Sequence, residues 1–523
     1  MYTFVDIKTL RTRIVGLMLI IGFLGGGLAF HEIFLERYHL WETKRVSGEI
    51  GKLIVRYQQQ QTQRKEVLAL LTSTKQPAGI VLGASTSDRA ASIPALLYHG
   101  IVDKPNGTDV LRHDFEEQMV MLKKAGWQTV TLKSYLEFVK GEKQLPYKSF
   151  LLTFDDARKD SYYPVDPVLE QLGFNAVMYV IANNETHGNY HLWPEEIKEL
   201  LSTSRWEVQS HSDEGHDYIE IDSNGSKGHY LTNLRWLSSE NRLETPDEFR
   251  SRVTRDLLVA KSRLEELYST SVYTVAYPFG DYGQVSVNYP DAFLVVPQVA
   301  QSIYDISFYQ ANRGDAFSSN VPGKSTFMQK RINVSAGVTV TDLIMHMENG
   351  IEKSSTYNDD FTRNRGWISG WGSTTFQNGF MHLGAEGLGT GGLTYLDGSQ
   401  SWRNYEYTLK VSEVKGKTLS LVLRYNSNKD YVACDYSNDH VSIVKVEDKP
   451  IQVTYSVIEL DLSKPTLYQA KIVGKSLSCG IDGRTVVSSG IDALSEMGGI
   501  GVKVWDPIDT EASAIVDEVS VNE

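Results

Sequence analysis

The chain has 523 residues, 41% of them hydrophobic and 11% aromatic, with a formal net charge of −13. It is too long for one ordinary domain and apolar enough for real cores, which excludes global disorder. The acidic balance argues against nucleic acid or an anionic membrane surface as the main partner, and two cysteines exclude a disulfide scaffold and any CxxC-type metal site.

In chain order, the first feature is the uncharged stretch IVGLMLIIGFLGGGLAF, Ile14 to Phe30, preceded by Lys8, Arg11 and Arg13. It reads as a single membrane-spanning helix with a cytoplasmic N-terminus. Gly27, Leu28 and Ala29 also suit a signal-peptidase site, but no polar region separates them from the apolar run, so an uncleaved anchor over 1–35 is the preferred reading. Either way the rest of the chain is exported, and the expected location is the cell membrane with the bulk extracytoplasmic. Residues 36–75 predict a juxtamembrane helix with Ile50, Leu53, Ile54 and Tyr57 at helical spacing. The run of four glutamines, Gln58 to Gln61, argues against a long coiled coil. Small and polar residues make 76–92 a linker.

From Ile93 to about Glu352, strand-like and helix-like segments alternate. PALLYHGI, SFLLTF, NAVMYVI, WEVQSH and SVYTVAYPFG read as strands. FEEQMVMLKKAGW, with Phe115, Met119, Leu122 and Ala125 on one face, and the long segment from Asp247 to Tyr268 read as helices. Such alternation implies parallel strands wrapped by helices, open or closed into a barrel. Trp193 and Trp206 are expected to pack within it. Past Glu352 the helices vanish, and 356–523 reads as an all-β sandwich of about a dozen short strands with Gly, Asn and Asp turns.

Functional groups in parallel α/β folds gather at the C-terminal ends of strands. Here those ends carry His99, the adjacent Asp155 and Asp156, His211 and His216, and Tyr277 to Gly280. Two histidines and one carboxylate suit Zn²⁺ or a similar divalent ion and leave positions open for water and substrate. A second carboxylate that is not a ligand can take a proton from water. Singly, each feature is more often structural: a strand-end histidine packs, an Asp pair caps a helix, and Tyr-Pro-Phe-Gly turns the chain. Their repeated placement at strand ends is what makes the set informative.

TFDDA, SHSDEGH and AYPFG, in that order, together with YHGI and FEEQMVMLKKAGWQTVTL, resemble the NodB-type polysaccharide deacetylases (carbohydrate esterase family 4) over roughly residues 93–350. The resemblance implies a distorted (β/α) barrel that uses a divalent metal, usually zinc, to remove N-acetyl groups from GlcNAc-type sugars. On this chain it implies Asp156, His211 and His216 as metal ligands and Asp155 as general base. Tyr277, Pro278 and Phe279 would line the substrate, with the Phe279 N–H as oxyanion donor. Three departures stand out. The histidines are five apart where many members have four, as in a subset acting on poly-β-1,6-N-acetylglucosamine. Ala157 and Ala276 stand where Gly and Arg are common, which leaves open what holds Asp155. The family's late Leu-x-His motif, which supplies the catalytic acid, is matched only by His346 in DLIMHMENG, and His99 competes for that role.

His187, His191 and His229 fall in polar segments and are expected to be exposed. The insertion from Ser223 to Phe249 reads as a surface loop, with a wall of a sugar groove through His229, Tyr230 and Trp236 as the alternative. The sandwich is similar to concanavalin A-like jelly rolls, and Trp367, Trp371, Trp402, Tyr405 and Trp505 are candidates for a sugar platform or for core. Whether Cys434 and Cys479 pair is open. The function expected is a membrane-anchored, metal-dependent polysaccharide N-deacetylase acting on peptidoglycan or a poly-N-acetylglucosamine. The alternatives are a non-catalytic glycan-binding surface protein and an O-acetyl esterase.

Overall fold

The computed structural model describes residues 51, 54–73, 89–183, 190–310, 317–323, 327–387, 389–492, 495–508 and 511–523. The expected anchor over 14–30, residues 36–50 and most of the linker lie outside them, and no described helix is long and apolar enough to cross a membrane.

Seven parallel strands close a barrel: β1 (Ala95–Tyr98), β2 (Ser149–Phe154), β3 (Ala176–Val180), β4 (Trp206–Ser210), β5 (Thr274–Ala276), β6 (Ile306–Gln310) and β7 (Met328–Asn333). Around the ring the order is β1, β7, β6, β5, β4, β3, β2, and β2 pairs back onto β1. The sequence of β2 shows how the walls form. Side chains alternate across a strand, so Phe150, Leu152 and Phe154 join the shell packed against the helices. Leu151 and Thr153 take the other face, with Leu151 clustered with Val177, Ala276 and Phe308. Both faces are buried, which is why the strand reads as a nearly unbroken apolar run.

Helices cover the outside. Phe115, Met119 and Leu122 of α2 (Arg112–Lys124) are fully buried, as periodicity predicts. α3 (Pro194–Ser202), α4 (Pro246–Tyr268) and α5 (Val340–Asn349) follow β3, β4 and β7. α4 starts with a full capping box, Thr245 with Glu248, and with Pro at its first turn.

The helix over 54–72, α1, lies against the barrel through a largely polar face. Gln63 Nε2 donates to Glu116 Oε1 (2.8 Å) and to the Pro164 carbonyl (2.7 Å). Arg56 stacks 3.6 Å over the Tyr163 ring, Arg64 pairs with Glu170, and Val67 is fully buried. Lys124 Nζ satisfies the carbonyls of Leu70 and Ser73 at the far end. Ile54 and Tyr57, the expected apolar face, are instead exposed. The N-terminal half of α1 meets Tyr163 and Glu196, which follow the C-terminal ends of β2 and β3. The helix therefore enters the fold at the same barrel end as Asp155.

Among the described residues of 357–522, an eight-stranded and a seven-stranded antiparallel sheet enclose one core, fifteen strands against the dozen expected. Cys434 and Cys479, from opposite sheets, form a disulfide. Trp367, Trp402 and Tyr405 are buried core residues, so of the five aromatic candidates only Trp371 and Trp505 reach solvent. The sandwich sits on the N-terminal end of the barrel. Phe317, from the connection before β7, packs edge-on against the stacked pair Tyr395 and Tyr425, with ring centroids 5.2 and 5.9 Å away. Beside it Ser318 bonds Asp397 through its backbone N–H and its hydroxyl, and Asn320 exchanges backbone bonds with Ile93 just before β1.

Candidate active site

β2 ends by sending its two acids in different directions. Asp155 continues the alternation of Leu151 and Thr153 and points into the barrel, 1% exposed. Asp156 has φ +72° and Ala157 φ +53°, so the chain turns left-handed and Asp156 swings to the mouth. Ser212 (φ +64°) and Phe279 (φ +60°) do the same after β4 and β5. Non-glycine residues pay for this conformation, and such strain collects at functional sites.

Asp156 Oδ1 stands 3.1 Å from His216 Nε2 and 3.4 Å from His211 Nε2. The three potential ligand atoms lie within 4.8 Å of one another. His211 Nδ1 is 2.8 Å from the Ala276 carbonyl, which can only accept, so that nitrogen carries the proton and Nε2 faces Asp156. Asp156 Oδ1 and His216 Nε2 are buried without a hydrogen-bond partner among the described residues; their close approach lacks hydrogen-bond geometry. A carboxylate oxygen and two imidazole nitrogens converging in this way fit a divalent ion. Burial pushes the Asp156 carboxyl up, but His211 and His216 overcome it and hold it well below the usual range.

Asp155 is held by Arg331 of β7. The guanidinium donates in a fork, Nη1 to Oδ1 at 2.6 Å and Nη2 to Oδ2 at 2.7 Å, and both side chains are buried. Burial alone would raise the Asp155 pKa; Arg331, then His211, bring it below the ordinary value. The arginine missing at Ala276 is thus replaced by one from another strand.

His99 follows β1, and its backbone is fixed by the Ser161 hydroxyl, which donates to its carbonyl (2.9 Å). His99 is close enough to Asp155 to act on it electrostatically. Next to it Arg158 forks onto Asp109 (3.0 and 2.8 Å), and Asp109 accepts the Gly100 N–H. A Cβ at Gly100 would lie 2.1 Å from Arg158 Nη2, so a larger residue there would displace the Arg158 fork from Asp109. His346 is not brought to this cluster. It is exposed on α5, whose last turn meets Trp127 and Lys148, before β2 and at the opposite barrel end.

Phe279 lies over the site edge, its ring 4.7 Å from His216 and stacked 4.3 Å from His229. His229 is not a free surface residue: its Nδ1 bonds buried Asp281 (2.7 Å), which also takes the Thr232 hydroxyl and the Gly283 N–H. Tyr218, 56% exposed, packs against both rings. These three rings form one wall of the mouth, built partly by the short hairpin Tyr218–Glu220 and Lys227–His229. Of the other insertion residues considered, Tyr230 is buried under Arg252, and Trp236 lies in a separate two-stranded ribbon. His191 is half-buried beside Arg158, His187 lies outside the described residues, and Trp193 is exposed while Trp206 packs. Arg331, Asp109 and the His229–Asp281 pair had no motif to announce them. The one available signal was a charged residue, Arg331, at an inward position of a barrel strand, two after Gln329.

Residues 142–291 match the family model described as polysaccharide deacetylase. The chain is 26% identical over 198 residues to the putative polysaccharide deacetylase YxkH of Bacillus subtilis (strain 168), over 38% of this chain and 60% of that protein. It is 22% identical over 210 residues to the poly-beta-1,6-N-acetyl-D-glucosamine N-deacetylase of Escherichia coli (strain K12), over 37% of this chain and 31% of that protein. It therefore spans less than two thirds of either relative. Among solved structures, a de-N-acetylase from Aggregatibacter actinomycetemcomitans aligns over 49% of this chain and 99% of its own, at 17% identity and a TM-score of 0.42. The family match begins before β2 and runs past Phe279, so it takes in both acids, both histidines and the Phe279 turn, and the chain carries a NodB-type polysaccharide deacetylase domain.

Proposed function

We propose that the protein is a membrane-tethered, extracytoplasmic, metal-dependent N-deacetylase of a GlcNAc-containing polysaccharide, of the poly-N-acetylglucosamine or peptidoglycan type. The observation that carries this is the division of labour between adjacent acids: Asp156 converges with His211 and His216, while Asp155 is turned inward and locked on Arg331. Asp156, His211 and His216 would hold the ion, zinc by ligand type. Such an ion, when bound, lowers the pKa of water and polarises a carbonyl.

The chain's own residues do the rest. Asp155, kept ionised by Arg331, accepts the proton released as water adds to the acetamide carbon. The Phe279 N–H, on its left-handed turn, donates to the developing oxyanion. His99 delivers a proton to the departing amine, and acetate and a free amino sugar result. Tyr218, Phe279 and His229 present ring faces to the sugar. The disulfide between Cys434 and Cys479 suits an oxidising compartment. An anchor over 14–30 would lead into α1 from the catalytic end of the barrel, turning the site toward the bilayer.

The test is acetate release from GlcNAc oligomers and from peptidoglycan, with and without chelator. Asp155→Asn is expected to abolish release, by at least a thousandfold, while a bound divalent ion is still detected by elemental analysis. His211→Ala is expected to lose both. Polymer binding by the wild type without acetate release would overturn the reading in favour of a glycan-holding protein.

A further inference from the structure

A cleft of about 990 Å³ separates the N-terminal half of α1 from the barrel rim. Its size is at the upper end of ligand sites, which run to roughly 1,000 Å³. The floor is Ile101 and the buried amide of Gln63. The far side is the segment Lys159–Pro164, which begins three residues after Asp156. The near rim, Val102 and Asp103, begins three residues after His99. The cleft is therefore continuous in chain with the catalytic mouth on the β1–β2 side.

The ring of strands locates the two flanks. β5, which carries Phe279, is three steps from β1 through β6 and β7, and three steps from β2 through β4 and β3. The wall of Phe279, His229 and Tyr218 and the α1 cleft thus face each other across the mouth. A chain that lies on the wall and passes over the paired acids arrives at the cleft.

The lining chooses the ligand class. Three cations, Arg56, Arg112 and Lys159, are matched by three carboxylates, Glu66, Asp103 and Asp160, so the site favours neither an anion nor a cation. Gln58, Gln59 and Gln60, from the glutamine run, add side chains that both donate and accept, which suits hydroxyl and acetamido groups. Gln60 already bonds the Tyr163 carbonyl, whereas Gln59 is exposed at the opening.

We infer that this cleft is a distal subsite for a neutral N-acetylhexosamine chain, with α1 serving as part of the substrate groove. The inference rests on the polysaccharide reading above. It makes the enzyme one that grips a polymer several residues away from the sugar being deacetylated.

The experiment compares a GlcNAc dimer and hexamer, β-1,4- and β-1,6-linked, on the full chain in detergent. Gln59→Trp fills the cleft from an exposed helical position, and circular dichroism checks its fold. The hexamer-to-dimer ratio of kcat/KM is expected to fall about tenfold, through KM. Calorimetric binding to the Asp155→Asn protein, with and without Gln59→Trp, is expected to show the same fall in the affinity ratio. An unchanged ratio in both measurements overturns the cleft, and so does a failure of Asp155→Asn to bind the hexamer. A ratio sensitive to Gln59 in a wild type that releases no acetate overturns the deacetylase reading and leaves the subsite standing.

Discussion

At the scale of single residues, the site depends on a contact between positions 176 apart, Arg331 to Asp155. Replacing Arg331 by Met leaves a buried carboxylate without its partner, which typically costs about 3–5 kcal/mol. The surviving Asp155 would then feel burial without the guanidinium, and its pKa would rise. For Arg331→Met we expect a urea midpoint well below that of the wild type and an acidic limb of kcat/KM displaced to higher pH. Arg331→Lys returns the charge without the fork and should recover only part of that displacement. An acidic limb that stays in place would show that Asp155 is not the group whose ionisation limits the rate.

At the scale of elements, the segment between His211 and His216 is held by a helix rather than by itself. Asp256 of α4 is 4% exposed and accepts the backbone N–H groups of Glu214 (2.7 Å) and Asp213 (3.3 Å). Burial pushes its pKa up to about 7, from an ordinary value of about 3.9. Between those values the folded chain keeps a proton that the unfolded chain releases, so this group makes the fold less stable as pH rises through that window. Asparagine preserves the neutral shape and removes the slope. Relative to the wild type, Asp256→Asn is therefore expected to gain stability between about pH 4 and pH 7 and to level off above it. Urea midpoints at several pH values measure this, and a difference independent of pH would contradict the raised pKa.

At the scale of the whole molecule, the sandwich and the catalytic mouth occupy opposite ends of the barrel. Phe317 joins the two bodies and is 2% exposed. Truncating a buried Phe to Ala costs about 3–5 kcal/mol, and here the cavity would open against the stacked rings of Tyr395 and Tyr425. Phe317→Ala is expected to lower the unfolding midpoint, with turnover per folded molecule unchanged because the junction is remote from Asp155. A large fall in kcat at full folding would mean that the junction supports the site. The same placement keeps the half-buried Trp371 and the exposed Trp505 away from the mouth that holds Asp155.

Much of this was legible in the chain. Strand-end positions of His99, Asp155, Asp156, His211, His216 and Phe279 follow from local pattern, because a buried strand announces itself by its apolar run and its chemistry starts where the run stops. Parallel strands wrapped by helices follow from the alternation, which left open whether they close into a ring. Tertiary structure decided the rest. It supplied Arg331 in place of the absent arginine and moved His346 to the far end of the barrel. It paired Cys434 with Cys479, buried Trp367 and Trp402, and laid the glutamine face of α1 along the rim. These are long-range contacts between residues whose own neighbourhoods are unremarkable. Sequence by itself determined which strand ends bear the candidate carboxylates and histidines, since burial and periodicity are local. Only the closed barrel decided which partners those groups have, since a charge buried at one strand end must find its counter-charge on whichever strand closure brings beside it.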